Sequence, residues 1–179
     1  MRAKTRARRV KMVLMDVDGT MTDGLLTVFP DGDEIKSYDV KDGLGILLAQ
    51  LAGLKLGIIT GKTSKGLEKR AERLKISELH QGALNKKPVF DDILARHRLS
   101  PEEIAYIGDD LGDLEIMKAV GFAGAVRDAH PFIKKRAHYV CARDGGRGAV
   151  REFLEFIICA QKKWEMVIAG FKTIFNRKI

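Results

Sequence analysis

The sequence predicts an α/β fold: a Rossmann-like parallel sheet with helices on both faces and a β-hairpin flap beside it. Three observations carry this prediction. Short apolar runs alternate with segments of helical period, as in a chain that winds strand, helix, strand. The apolar runs end in acidic or hydroxyl residues, the place where open α/β sheets bind their ligands. At 179 residues the chain suffices for one such domain and its core but is short for two.

Taken in order, Val10–Met15 reads as the first strand, apolar but for Lys11. Leu25–Phe29 and Glu34–Val40 read as hairpin arms, joined by Pro30-Asp31-Gly32-Asp33, whose Pro and Gly suit a tight turn. Gly45–Gly53 has apolar residues at helical spacing, Leu56–Thr60 is a buried strand, and Ser64–Leu74 is an amphipathic helix with Lys and Glu outward. Lys86–Arg98 is a helix with Pro88 in its first turn, where the missing N–H costs little. Ile104–Gly108 is a short apolar strand, Asp113–Val120 a helix and Phe122–Val126 a strand. Arg151–Ile168 reads as one terminal helix with Phe153, Phe156, Ile157 and Trp164 on its apolar side. The organisation that follows is a basic tail over 1–10, one domain over 11–160 and a helical tail over 161–179.

Composition narrows the class of protein. The formal net charge is +8, yet residues 1–11 hold six basic and no acidic groups, and residues 151–179 hold six basic and three acidic. The middle keeps 20 basic against 21 acidic groups, so the basicity belongs to the ends and reads as a solvated head rather than a nucleic-acid surface. The longest charge-free apolar run, Gly43 to Leu54, is twelve residues, too short to span a bilayer. Cys141 and Cys159 are too few for a disulfide scaffold, and no Cys–His cluster has zinc-ligand spacing. The chain start lacks the apolar core of a secretory signal, which points to the cytoplasm.

The strand ends carry the chemistry. The first strand ends in Asp16-Val17-Asp18-Gly19-Thr20, Leu56–Ile59 in Thr60-Gly61-Lys62, and Ile104–Gly108 in Asp109-Asp110, with Asp113 following. Several carboxylates converging on one sheet edge repel and are hard to desolvate without a cation. Oxygen-only ligands and few histidines point to magnesium. A carboxylate held against such an ion is a nucleophile suited to phosphorus, and Asp18 is placed to give and take the proton. Thr60 and Lys86 are placed to hold phosphoryl oxygens. The segment Gly57-Ile-Ile-Thr-Gly61-Lys62-Thr63 has one residue too few between its glycines for a P-loop.

These motifs, DVDGT (Asp16–Thr20), IIT (Ile58–Thr60), Lys86 and GDDLGD (Gly108–Asp113), resemble the four motifs of the haloacid dehalogenase (HAD) superfamily of phosphatases. DVDGTMTDG, YDVKDGLGI, ITGK, HQGALNK, IGDDLGD, DAHP and GGRGAVRE resemble more closely its capless branch, the 3-deoxy-D-manno-octulosonate 8-phosphate (Kdo-8-phosphate) phosphatase family. The resemblance implies Asp16 as nucleophile and metal ligand, and Asp18 as acid/base with its backbone carbonyl on the metal. It implies Asp109 as the remaining protein ligand, with Asp110 and Asp113 as supports. Thr60 and Lys86 would bind the phosphoryl group, and Asp39, Val40, Lys41, Asp42, Gly43, Lys62 and Arg70 would meet the rest of the substrate. The substrate it implies is a phosphorylated sugar acid of lipopolysaccharide biosynthesis.

The chain leaves no room for a cap domain: Thr60 follows Asp18 by 42 positions, Lys86 follows Thr60 by 26, and Asp109 follows Lys86 by 23. The family resemblance implies a homotetramer in which one subunit's hairpin lies against a neighbour's site, and Leu25, Leu26, Val28 and Phe29 on a short hairpin, marginal alone, fit that arrangement. Arg147, in Gly145–Gly148, is either a reader of a substrate carboxylate or a solvated arginine at a helix start. The family usually carries Arg where Lys62 and Leu47 stand; phosphatases of 9-phosphorylated nonulosonic (sialic-acid-type) acids are usually acidic at the Lys62 position, so Lys62 leans toward Kdo-8-phosphate. A reading from another class is a catalytically idle oligomer or an RNA-binding protein that uses the basic head.

Overall fold

The computed structural model describes residues 3–176; the ends of the two expected tails, 1–2 and 177–179, lie outside the described residues. Helix α1 (Ala3–Ala7) leads into strand β1 (Met12–Met15). The hairpin follows as β2 (Thr27–Val28) and β3 (Glu34–Ile35), then α2 (Val40–Leu51), β4 (Lys55–Ile59), α3 (Lys65–Arg73), β5 (Glu78–His80) and α4 (Lys86–His97). The second half runs β6 (Ile104–Gly108), α5 (Leu114–Ala119), β7 (Phe122–Ala125), α6 (Pro131–Lys134), β8 (Tyr139–Val140), α7 (Ala149–Ala160) and α8 (Trp164–Asn176).

Six strands form one sheet in the order β5-β4-β1-β6-β7-β8, and every pairing in it is parallel. β1 lies centrally, with Met12 beside Lys55 on one side and Ile104 on the other. All residues of β1 and β6 are buried, the pattern of strands covered on both faces. One helical layer joins α2, α7, α1 and α8, and α4 packs with α5 in another. Tyr106, Phe90, Phe122 and Phe153 are among the largest fully buried side chains. From β1 the chain winds outward through β4 and β5, then returns to β6 on β1's other flank, so the carboxyl ends of β1, β4 and β6 flank one crevice.

Three details depart from the sequence expectation. The described part of the basic tail is no solvated arm: Ala7 and Val10 are buried, the Arg6 guanidinium donates to the Gly121 carbonyl at 2.8 Å, and Arg8 Nε donates to that of Ala160 at 3.2 Å. The single terminal helix is two. It breaks at Lys162, whose φ is +59°. Gln161 Nε2 there donates to the Val10 carbonyl at 2.7 Å and Lys163 Nζ to that of Ala52 at 2.8 Å. The second piece, α8, packs on α2 with Val167 buried, so it is no loose appendage. The hairpin arms pair over only Thr27–Val28 and Glu34–Ile35, because Pro30 to Asp33 and the exposed flanks offer little to extend the ladder.

Candidate active site

Helix caps and strand ends fix the site before any side chain is considered. Asp16 continues β1 in register, its N–H donating to the Ile107 carbonyl of β6 at 3.0 Å. The chain then turns sharply at Gly19, where φ is +84° and a Cβ would overlap the Asp109 carboxylate, so only glycine serves. Thr22 Oγ1 locks this turn by donating to the Val17 carbonyl at 3.3 Å and accepting from the Gly19 and Gly24 N–H groups. Asn85 caps α4 through the Lys87 N–H and so sets Lys86 at the helix start, pointing at the sheet edge.

Asp16, Asp109 and Asp113 each bring a carboxylate oxygen within 4.8 Å of the others. Lys86 reaches into this group: Nζ lies 2.5 Å from Asp16 Oδ1, 2.6 Å from Asp113 Oδ1 and 3.1 Å from the Tyr106 hydroxyl. The Tyr106 hydroxyl donates to Asp113 Oδ1 at 2.6 Å, while Asp113 Oδ2 accepts from the N–H groups of Asp109 at 2.9 Å and Asp110 at 3.3 Å. Both oxygens of Asp113 are thus occupied by donors. Asp109 is lightly held, accepting from Thr20 Oγ1 at 3.2 Å.

Electrostatics follow from this crowding. Burial, then repulsion from Asp113, raises Asp16 to about 6 against the pull of Lys86. Burial and the charges of Asp16 and Asp113 raise Asp109 to about 8. Burial alone would lower Lys86, but Asp16 and Asp113 outweigh it and hold the ammonium above its ordinary value. Three carboxylates against one ammonium leave an excess of negative charge in a buried place, which suits a hard divalent cation. With Asp113 saturated, Asp16 and Asp109 are the carboxylates with oxygens to spare.

The other predicted residues fall into distinct places. Asp18 does not join the carboxylate group; its side chain meets Lys36 of the hairpin, with Nζ 2.6 Å from Oδ1 and 2.9 Å from Oδ2. Thr60 is buried at the end of β4, its hydroxyl accepting weakly from the Lys62 N–H at 3.5 Å. Lys62 is exposed and lines a groove of about 1170 Å³ between the hairpin turn and the start of α3. Asp39 caps α2, and its carbonyl accepts from Arg70 at 3.5 Å; the Arg70 guanidinium also lies 5.8 Å from the Tyr38 ring. Val40 and Lys41 are exposed, whereas Asp42 and Gly43 face inward.

Asp42 caps the neighbouring helix instead of opening to the site: Oδ1 accepts from the Arg151 N–H of α7 at 2.8 Å, and Oδ2 has no hydrogen-bond partner. Burial raises it to about 6. Arg147 is exposed and donates to Asp23 at 3.1 Å. The adjoining Gly146, with φ of +60°, rests on the Thr22 and Asp23 backbone, which places the GGRG segment against the turn after β1.

Two site residues escape the sequence reading. Tyr106 reads as core within an apolar strand, although a buried tyrosine needs a partner for its hydroxyl. Lys36 reads as an ordinary hairpin lysine. The alternation of an exposed Ser37 between inward Lys36 and Tyr38 was the available signal.

A central parallel strand ending in Asp-x-Asp, a second delivering acidic groups beside it and a lysine from a helix start together define a HAD-like hydrolase. A family model described as haloacid dehalogenase-like hydrolase matches residues 72–154. The Kdo-8-phosphate phosphatase of Yersinia pestis is 44% identical over 160 residues, 89% of this chain and 86% of that protein. Its crystal structure superposes with a TM-score of 0.89 over 91% of this chain and 88% of that one. The enzyme from Moraxella catarrhalis, solved with magnesium, phosphate and Kdo, is 35% identical with a TM-score of 0.91, covering 94% and 97% of the two chains. The chain belongs to the Kdo-8-phosphate phosphatase family.

Proposed function

We propose that this protein is a magnesium-dependent phosphomonoesterase that releases phosphate from Kdo-8-phosphate in lipopolysaccharide sugar synthesis. The observation that carries the reading is the cluster of Asp16, Asp109 and Asp113, whose carboxylate oxygens lie within 4.8 Å of one another beside a lysine that neutralises only part of the charge; burial and Asp113 raise Asp16, and burial, Asp16 and Asp113 raise Asp109. Asp16 and Asp109, with the Asp18 backbone carbonyl, would hold the ion. When bound, it offsets the carboxylate repulsion and the charge that builds on phosphoryl oxygens.

In the first step an oxygen of Asp16 attacks phosphorus, the bond to the sugar oxygen breaks, and Asp18 delivers its proton to the departing alkoxide. In the second step the Asp18 carboxylate takes a proton from water, the hydroxide attacks phosphorus, and the bond to Asp16 breaks to release inorganic phosphate. Lys86 and the Thr60 hydroxyl steady the phosphoryl oxygens in both steps. Asp113 and Tyr106 hold Lys86 in place. The sugar lies toward Lys62, Arg70 and the Asp39–Gly43 turn, with Asp42 acting through helix α7.

The test is Asp16→Asn with magnesium, assayed on Kdo-8-phosphate, on 9-phosphorylated nonulosonic acids and on p-nitrophenyl phosphate. Phosphate release is expected to vanish on all of them while the fold persists, and the parent enzyme is expected to prefer Kdo-8-phosphate. Near-normal turnover by the variant refutes the mechanism, and preference for the nine-carbon acids refutes the substrate.

The same reading places the enzyme in the cytoplasm as a homotetramer whose hairpins reach neighbouring sites. Supporting it, Leu25, Val28, Phe29 and Ile35 are large apolar side chains left exposed on the hairpin among the described residues. No helix among the described residues is long and apolar enough to cross a membrane.

A further inference from the structure

The hairpin places a lysine where the mechanism needs an oriented acid. Along its second arm Ser37 is exposed while Lys36 and Tyr38 turn inward. The Lys36 side chain is only 4% exposed. A lysine ordinarily keeps its ammonium in water, and burying it is costly unless a partner of opposite charge meets it. The partner is Asp18, contacted at both oxygens, 2.6 Å to Oδ1 and 2.9 Å to Oδ2. Among the described residues no other side chain hydrogen-bonds to Asp18. Nζ donates a hydrogen bond to Oδ2 and meets Oδ1, which has no hydrogen-bond partner, at ion-pair distance, so this one lysine draws toward itself a short carboxylate that is 26% exposed.

We propose that Lys36 is the positioning residue for Asp18, fixing the carboxyl group in line with the departing sugar oxygen. The proposal rests on the reading of Asp18 as the proton donor. It assigns the flap a part in the reaction beyond covering the substrate: the strand that bounds the sugar site also holds the acid. The sheet edge then divides into two lysine-tied halves. Lys86, from α4, serves Asp16 and Asp113; Lys36, from the flap, serves Asp18. Misplacement of a reacting group by about 1 Å costs on the order of a hundredfold in rate, so loss of this contact has a kinetic signature.

The signature is dependence on the leaving group. A primary sugar alkoxide leaves only with a proton, whereas p-nitrophenolate leaves without one. The quantity to measure is kcat/KM, which covers the steps through formation of the phosphoryl-enzyme. For Lys36→Met the loss on Kdo-8-phosphate is expected to exceed that on p-nitrophenyl phosphate by about 10- to 100-fold. Lys36→Arg, which keeps the charge and the donors, is expected to return most of that difference. Asp18→Asn serves as the reference and shows the same pattern, larger.

Equal losses of Lys36→Met on the two substrates would mark a lysine that binds the phosphoryl group itself and would overturn the proposal. So would an absence of any loss, provided Asp18→Asn still discriminates between the substrates. If Asp18→Asn fails to discriminate, Asp18 is not the proton donor, and the reading beneath the proposal falls with it. Turnover of p-nitrophenyl phosphate by each variant reports directly that the site is folded.

Discussion

Replacing Lys86 by methionine removes one ammonium from beneath three carboxylates while keeping most of the side-chain volume. Its Nζ makes two charge-assisted contacts, 2.5 Å to Asp16 and 2.6 Å to Asp113, and a third to the Tyr106 hydroxyl at 3.1 Å, in a side chain 8% exposed. Hydrogen bonds to charged groups contribute about 1.5–3 kcal/mol each, and breaking a buried pair by removing one partner costs about 3–5 kcal/mol. Asp16 recovers part of this by taking a proton, since it already sits at about 6 and moves higher without Lys86. The net expectation is a destabilisation of about 3–5 kcal/mol near neutral pH in the presence of a chelator. Excess magnesium supplies positive charge at the same place, so the loss should fall to roughly 1–2 kcal/mol. Urea unfolding of parent and variant, each with chelator and with magnesium, gives the four numbers needed. A loss below about 1 kcal/mol with chelator, or an equal loss in both conditions, would refute the account of the cluster as charge in search of a cation.

Two further outcomes test parts of the chain away from that cluster. Asp42 titrates at about 6 in the folded protein, above its ordinary value of 3.8, so the folded state holds this proton more tightly than the unfolded one and stability falls as pH rises from about 4 to about 6. The fall amounts to about 3 kcal/mol at about 1.4 kcal/mol per unit; Asp42→Asn keeps an acceptor for the Arg151 N–H and should flatten it, and parallel stability curves of parent and variant would dismiss it. On the hairpin, Val28→Asp with Phe29→Asp should convert the proposed tetramer to smaller species in a solution mass measurement, and a parent that is already monomeric would dismiss that assembly.

What the sequence made legible was whatever writes itself in local pattern. Ile104–Gly108 is apolar throughout and emerges with the predicted bounds, and Asp16, Thr60 and Asp109 fall at strand ends where apolar runs give way to polar residues. β5 and β8, of three and two residues, are too short to show a period. Glu78 in β5 is instead held by an ion pair with Arg96 and a hydrogen bond with His97 of α4, a pairing invisible until the helix is docked. α1 was hidden by its charges, although Ala3, Ala7 and Val10 sit at helical spacing and pack on the core. The break between α7 and α8 has no Gly or Pro to announce it; a lysine in the left-handed region makes the turn. Asp42 shows a related limit of local pattern. Its partner, the Arg151 N–H, lies 109 residues away and comes within reach only when α7 docks on α2.

The same distinction between local and tertiary signals bears on how an open site gains precision. Asp16, Asp109 and Asp113 are held by backbone already fixed by the sheet: Asp16 by the β6 register, Asp113 by two N–H groups of its own loop. That half of the site is as rigid as the core beneath it. Asp18 is different. It stands one residue beyond Val17, outside the ladder, and its side chain meets a lysine from a flap whose strands pair over two residues each. A flap of that size is marginal unless something else holds it. The Lys36–Asp18 contact ties it to the turn after β1, and a neighbour covering its exposed Leu25, Val28 and Phe29 would hold it further. Assembly and acid placement are then linked through one hairpin. Loosening the proposed tetramer should therefore weaken hydrolysis of sugar phosphates more than that of aryl phosphates, the same bias expected of Lys36→Met, whereas a purely architectural interface would weaken both alike.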